Sequence, residues 1–426
     1  MELNKYLPSG ASYEMRTERV VSSSVKFAGN AFESVDSTDK VTHTARVLHD
    51  GKLSIASGSK PGGESELVQQ AVEAAKYGSA HDVPFVGATQ IKEMKLESTE
   101  TLTEAQMVDV AAELLEDLRS LDSRISAGTT LTAGLYETSL KTSGGFDSSY
   151  RQTRWNLSGS ISLAQGDDNL GIWESAPSMG PTFDAKALKN TIAKKLEWAK
   201  NVVPFKAGTY PVIFSPGEVN YIINPVATSL NGKAIQTKVS PWHEKLGQEV
   251  LDSRFTLVDD GSLDGEYTSA PFDIEGTPTR RNVLVENGRI KDLLLNRKTA
   301  AQLGMESSGN ASAMGASPNH MRINPGDKTF AEMVSSIDYG LLIDGTMGAW
   351  SGNPYAGIVT GTISMGLLIE NGKIVGRVKD CMFTVKAFEH LKNHLVGFSA
   401  ELEPNGFMSY NLFPYMMLDQ VVISTK

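Results

Sequence analysis

One cysteine, Cys381, among 426 residues excludes an internal disulfide framework and fits a reducing compartment. No apolar run approaches the ~18 residues that would cross a bilayer, and "MELNKYLPSG" has no apolar core for a signal peptide. Basic charge is also short: 40 Lys and Arg stand against 50 Asp and Glu, a net charge of −10. Nucleic-acid binding needs a basic surface, so that partner class is disfavoured. Familiar chemical templates are missing too. There is no phosphate loop, and Gly345, Gly348 and Gly352 lack dinucleotide spacing. Ser364 is one residue out of register for a nucleophile elbow. The expectation is a cytoplasmic, globular protein with neither a membrane nor a direct nucleic-acid partner.

What is present is strand and helix patterning over a length that predicts two or three domains. Residues 12–57 alternate apolar with polar side chains, broken by turn signals at "AGN" and "HDGK". Leu67, Ala71, Ala74 and Ala75 then share a helical face, with Gly78 as its stop. A second helix is capped by Thr103 and carries a stripe of Met107, Val110, Ala111, Leu114, Leu115 and Leu118. Alternation returns from Arg124 to Ala164 as an antiparallel meander, and 183–202 read as a helix ending before Pro204. Beyond it the chain is glycine-rich and mostly strand, with "VLVENGRI" and "LLIENGKI" as two Asn-Gly hairpins. Their likeness fits an internal duplication or a shared hairpin solution equally. The fold class expected is α+β, strand-rich and antiparallel, with packed helices in the first half and a mostly β second half. The domains expected are 1–95, 96–203 and 204–426.

Four stretches compete as chemical sites. His243-Glu244 opens like the zinc-peptidase signature, but Gly247 stands where His-Glu-x-x-His needs its second imidazole. Gln248, the position used by a one-residue-longer form, is a poor zinc ligand, so a turn with a solvated His and Glu is expected there. Asp259, Asp260, Asp264, Glu266, Asp273 and Glu275 offer oxygen ligands to a hard cation, yet their spacing matches no EF-hand and acidic residues beside glycine suit turns. Residues 307–320 form a long loop of small residues ending at His320. His390 and His394, four apart, share a helical face and with Cys381 are the only soft ligands for a relocated metal.

The second half nevertheless carries several motifs in one order. They are Val258-Asp259-Asp260-Gly261, Phe272-Asp273, Glu275-Gly276-Thr277-Pro278-Thr279-Arg280, Val285-Glu286-Asn287-Gly288, Ser308-Gly309-Asn310, Leu368-Ile369-Glu370-Asn371-Gly372 and Val378-Lys379. On these residues the chain resembles the TldD/PmbA family, also called modulators of DNA gyrase. The first half fits the family layout more loosely and lacks the helix that usually precedes the first strand. Members of the TldD branch carry His-Glu-x-x-x-His upstream of the Val-Asp-Asp-Gly segment, and a cysteine near the chain end completes a zinc site. In "IINPVATSL" the corresponding positions hold Asn224, Pro225 and Ser229, and "NGFMSYNLFPYMMLDQVVIS" has no cysteine. Every ligand and the general base are replaced, and the interior Pro225 argues against the helix that displays them. The chain therefore resembles the PmbA branch, also called TldE. That resemblance implies a subunit without catalytic or metal-binding residues of its own. It would work with a TldD-like partner that holds the zinc and cleaves extended peptides or unfolded small proteins. The alternative is a homodimeric peptide-binding scaffold without protease activity.

Overall fold

The structure, a computed structural model, describes residues 3–166, 168–404 and 410–425. The first half is built on strands β1 (Ser12–Ala28), β2 (Ala31–His49), β3 (Lys52–Gly58), β4 (Ser79–Ala80), β5 (Ile125–Thr142), β6 (Asp147–Gln165) and β7 (Asp168–Ser178). They form one antiparallel sheet in the order β4-β3-β2-β1-β5-β6-β7. Its helices are α1 (Glu64–Ala74), α2 (Glu104–Arg119) and α3 (Ala185–Ala199). Among the described residues, a 3-10 turn, Leu3–Tyr6, precedes β1. Strict alternation makes these strands: Val25 and Phe27, Ala127 and Leu131, and Leu157 and Ile161 point to one face, where α2 and α3 bury them. Thr103 caps α2 in a capping box with Gln106, and its stripe from Met107 to Leu118 lies in the same core.

One sheet spans the expected division at 95/96. β1 pairs with β5 from Glu14↔Thr142 to Phe27↔Thr129, so a division at 95/96 would run through a single hydrogen-bonded layer. Segment 81–103 is an extended connection that crosses from β4 to α2.

The second half runs β8 (Gly208–Phe214), α4 (Pro216–Ser229), α5 (Gly232–Gln236), β9 (Leu257–Asp260), β10 (Arg281–Glu286) and β11 (Arg289–Ile290). It continues through α6 (Arg297–Leu303), β12 (Ala311–Ser312), β13 (Gly315–Ala316), β14 (Met321–Ile323), α7 (Phe330–Ser335) and β15 (Tyr339–Met347). Last come β16 (Ile358–Glu370), β17 (Lys373–Val378), β18 (Cys381–Lys386), α8 (Ala387–Asn393), β19 (Leu395–Phe398), β20 (Glu403–Pro404), β21 (Leu412–Phe413) and β22 (Met416–Thr425). Strands β15-β8-β22-β18-β16 close into a barrel, because β16 pairs back onto β15. A smaller sheet, β11-β10-β9-β14-β21-β20, stands beside it. Both Asn-Gly pairs form the tight hairpins expected, with Asn287, Gly288, Asn371 and Gly372 at positive φ.

One core unites the halves. Leu114, Leu157 and Ile192 belong to the same buried cluster as Ile213, Leu342, Leu367 and Met417 of the barrel strands. Beside it Lys195 of α3 lies between Glu174 of β7 and Asp344 of β15, 2.7 Å from the latter.

Candidate functional site

Helix α4 holds the three positions that the zinc motif would occupy. Ser215 precedes it, Pro216 opens it with φ already suited to a helix, and Val219, Ile222, Ile223, Val226 and Ala227 face the main core. Pro225 does not break the helix, contrary to the expectation from sequence: the helix is continuous to Ser229. The reason is magnitude. An interior proline costs ~3 kcal/mol, whereas each fully buried Val or Ile contributes about 1.5–3 kcal/mol, and α4 buries several.

That continuity separates the motif positions. Residues five apart on a regular helix lie ~140° around the axis. Asn224 is accordingly exposed, with Oδ1 3.5 Å from Thr228 Oγ1, while Pro225 and Ser229 are buried. An exposed amide, a proline ring and a hydroxyl turned into the core do not converge on one point and do not fit zinc. Among the described residues no group of three or more His, Cys, Asp and Glu is placed to hold a metal.

The other soft-ligand candidates are engaged elsewhere. His390 Nδ1 lies 2.9 Å from Lys386 O and Nε2 3.2 Å from Gln420 O. Its ring centroid is 5.3 Å from that of His394. Cys381 is buried in β18 with Sγ 3.1 Å from Lys379 O. His243 sits in a turn, its Nδ1 2.9 Å from Ser240 O, and Glu244 is exposed.

The acidic motif residues turn out to be hydrogen-bond acceptors that organise loops. Asp259 Oδ1 accepts from Asn319 N at 2.7 Å and His320 N at 2.8 Å, and Oδ2 from Asn310 Nδ2 at 2.7 Å. Asn310 Oδ1 in turn accepts from Asn282 Nδ2 at 3.1 Å and Ser308 Oγ at 2.6 Å. Asp273 accepts from Glu275 N, Thr277 N and Ala311 N, all at 2.9–3.0 Å. Asp260 takes Ser262, Asp264 takes Lys95 N at 2.9 Å, and Glu275 takes Arg297 N at 2.9 Å. Glu266 contributes its backbone carbonyl, which Gln152 reaches at 3.4 Å. Burial pushes Asp259 up and Asp273 up to about 7, against the opposing pull of their N–H donors. The motif glycines share this purpose: Gly309, at φ 73°, would place a Cβ 2.5 Å from Pro278 O.

The network joins α4 to the chain end. Asn411 Oδ1 accepts from Met321 N at 2.8 Å, and its Nδ2 donates to Asn220 Oδ1 at 3.2 Å, one turn before Asn224. Residues 405–409 of that terminal segment lie outside the described residues. Beside Asn411, the rings of Tyr410 and Tyr267 approach to 3.8 Å, and Arg154 covers Tyr267 and Tyr136. Buried His320, its pKa lowered first by burial, reaches Thr268 Oγ1 with Nδ1 at 3.2 Å.

Sequence reasoning missed one ionisable group here. Glu218, in the first turn of α4, accepts from Thr346 Oγ1 at 2.6 Å and Thr346 N at 3.1 Å. Burial pushes it up to about 7, with nearby Asp344 adding to the rise. Nothing in "SPGEVNY" marks it, because a glutamate near a helix start is usually solvated and favoured by the helix dipole.

The comparisons agree with this architecture. Residues 207–425 match the family model described as the PmbA/TldA metallopeptidase C-terminal domain. The chain is 28% identical over 416 residues to the Haemophilus influenzae protein named "Metalloprotease PmbA homolog", covering 91% of this chain and 87% of that one. A Methanothermobacter thermautotrophicus "Metalloprotease" is 36% identical over 154 residues, 35% of this chain. The matches to three archaeal relatives span only 34%, 40% and 47% of their lengths. In fold, the chain superposes on the crystal structure of TldE from Thermococcus kodakarensis with a TM-score of 0.91 and 23% identity, covering 99% of this chain and 98% of that one. The chain belongs to the PmbA/TldD metallopeptidase family.

Proposed function

We propose that this chain is the non-catalytic, TldE-type subunit of a cytoplasmic zinc metallopeptidase complex that processes peptides or unfolded small proteins. The reading rests chiefly on α4, where Asn224, Pro225 and Ser229 stand in place of the metal ligands and the base, and diverge around a regular helix. No metal-dependent step is therefore assigned to these residues. The zinc belongs to a TldD-like partner carrying His-Glu-x-x-x-His. This subunit completes the peptide chamber and positions that partner. The Asp259–Asn310 network supports such a role, since its hydrogen bonds tie together the loops that carry the family motifs.

The deciding experiment mixes the purified chain with the TldD-like homologue and follows cleavage of an unstructured peptide. Activity is expected only in the mixture, and is lost when the partner's glutamate is replaced. Chelator-sensitive activity from this chain alone would overturn the reading. A chain that self-associates and never engages the homologue would instead support the homodimeric scaffold.

A further inference from the structure

We infer that Arg154 anchors a carboxylate of the peptide that the proposed complex handles, and so sets a preference for that charge. The inference rests on the reading above of a peptide-handling subunit and names a specificity-determining residue within it. Arg154 lies half-buried on β6, two residues beyond Gln152 and on the same face of the sheet. Other arginines are neutralised: Arg19, Arg46, Arg151 and Arg254 each hold a carboxylate. Arg154 takes part in no ion pair among the described residues. Its partners are one amide oxygen and two tyrosine rings. A half-buried cation without a counter-ion carries a desolvation cost, and here it is left so in a chain of net charge −10.

The amide fixes which way the guanidinium faces. Gln152 is 1% exposed, and its Nε2 donates to the backbone carbonyls of Glu266, Tyr267 and Ser269 at 3.4, 3.0 and 3.3 Å. Carbonyls only accept, so the amide oxygen is the atom turned to Arg154. Oε1 accepts from Nε at 3.1 Å and from Nη2 at 2.7 Å. The remaining edge of the guanidinium, Nη1 with the second hydrogen of Nη2, has no acceptor among the described residues. Such an edge grips a carboxylate through two parallel hydrogen bonds. Gln152 is thus a positioning residue: a neutral amide orients the cation without cancelling its charge.

Two tyrosine rings pack against the same guanidinium. Arg154 Cζ lies 4.7 Å from the Tyr136 ring centroid and 5.4 Å from that of Tyr267. Gly134 makes room for the first ring. It stands opposite Arg154 in the β5–β6 register, and a Cβ there would lie 2.8 Å from Tyr136 Cε2. The second ring comes from the loop that holds Gln152, and it meets Tyr410 of the terminal segment at 3.8 Å. That segment also reaches α4, where Asn411 bonds Asn220. One fixed guanidinium beside neutral rings balances a single charge on a planar group, which fits a carboxylate better than a phosphate dianion. The carboxylate is the peptide's C-terminus or an acidic side chain.

The test uses this full chain alone in isothermal titration calorimetry, so its failure leaves the subunit reading to the cleavage experiment above, and the reverse also holds. The probes are three acetylated octapeptides of alternating alanine and serine: one with a free C-terminus, one amidated, and one amidated with a single internal glutamate. A peptide carrying a carboxylate should bind about tenfold or more tightly than the neutral one. Tightening by the free C-terminus identifies the chain end and tightening by the glutamate an acidic side chain; either supports the inference. Arg154→Lys keeps the charge but loses the paired geometry, and should lose most of that preference with the melting temperature little changed. Nitrogen-15 NMR of the unaltered chain gives a second reading: the Arg154 Nε signal should shift with the carboxylate peptides and not with the neutral one. Absent or equal binding of the three peptides, a preference retained by Arg154→Lys, or an Arg154 signal indifferent to the charged peptides would overturn the inference.

Discussion

Single residues here act mostly by being buried with, or without, a partner. Glu218 titrates near 4.5 in an unfolded chain and up to about 7 in the fold. Its protonated form is thus favoured in the folded state, so its contribution is full below about pH 4.5 and is lost as pH rises through about 7. At 1.36 kcal/mol per pKa unit that amounts to about 3 kcal/mol. Glu218→Gln should flatten the fall in melting temperature between pH 5 and 7.5, measured by scanning calorimetry across that range; an unchanged slope would assign the pH dependence to the other carboxyls that burial pushes up, Asp273 and Asp259 among them. Asn310 tests the opposite situation, in which every polar atom is satisfied. Asn310→Ala leaves Asp259 Oδ2 and Asn282 Nδ2 each short of a partner. Asn282 Nδ2 keeps Ser308 O and Asp259 Oδ2 keeps only the longer contact to Asn319 Nδ2, so a stability loss of about 1–3 kcal/mol is expected from denaturant titration. Neither environment was legible beforehand. Asp259 and Asp273 drew notice as acidic residues, but a carboxylate held by backbone N–H groups and one holding a cation have the same local sequence. The discriminating signal was the amide and hydroxyl company, Asn282, Ser308 and Asn310, which only the fold brings together.

At the scale of elements, periodicity showed what had a period. The long strands, the capped α2 and both Asn-Gly hairpins announce themselves, because alternation, a Thr-x-x-Gln box and a positive-φ pair are local. The third strand of the meander, β7, did not: its "DNLGIWESAPS" mixes proline, glycine and charge at an edge position. Helix α4 was misread for a different reason. Its apolar residues Val219, Ile222, Ile223, Val226 and Ala227 do recur at helical spacing, but its interior proline argued against a helix that tertiary burial stabilises. Its regularity carries a prediction. With positions 224 and 229 ~140° apart, the combined change Asn224→His, Pro225→Glu, Ser229→His should yield neither stoichiometric zinc nor peptidase activity, even though the helix tolerates the backbone. Elemental analysis finding about one zinc per chain in that variant, and none in the parent, would show that α4 bends to bring the two imidazoles together.

The whole molecule is organised by what crosses between its halves. Strand order made the first half one sheet, and the apolar cluster from Leu114 to Met417 makes both halves share a core. Two buried ionic groups sit along the same seam. Arg46 of β2 joins Glu14 at 2.9 Å and reaches Glu275 of the second-half motif at 3.7 Å. Lys195 of α3 joins Glu174 and Asp344. Burial disfavours its charge, yet the carboxylates of Asp344 and Glu174 hold its ammonium well above the usual lysine range. A shared apolar core couples the halves energetically, so scanning calorimetry should show one unfolding transition with calorimetric and van't Hoff enthalpies in agreement. Two resolved transitions would make the halves independent. Lys195→Met sharpens the test, because it preserves the apolar stem and removes only the charge. Glu174 and Asp344, both partly buried, would then face one another unpaired, at a cost of a few kcal/mol and below the ~3–5 kcal/mol of a fully buried charge. If the seam is cooperative, that loss lowers the single transition as a whole. If it is not, the variant splits the transition, with one half unfolding at the original temperature. On the proposed reading as a chamber-forming subunit, the same variant should lose its ability to activate a TldD-like partner at the temperature where the seam melts, and not before.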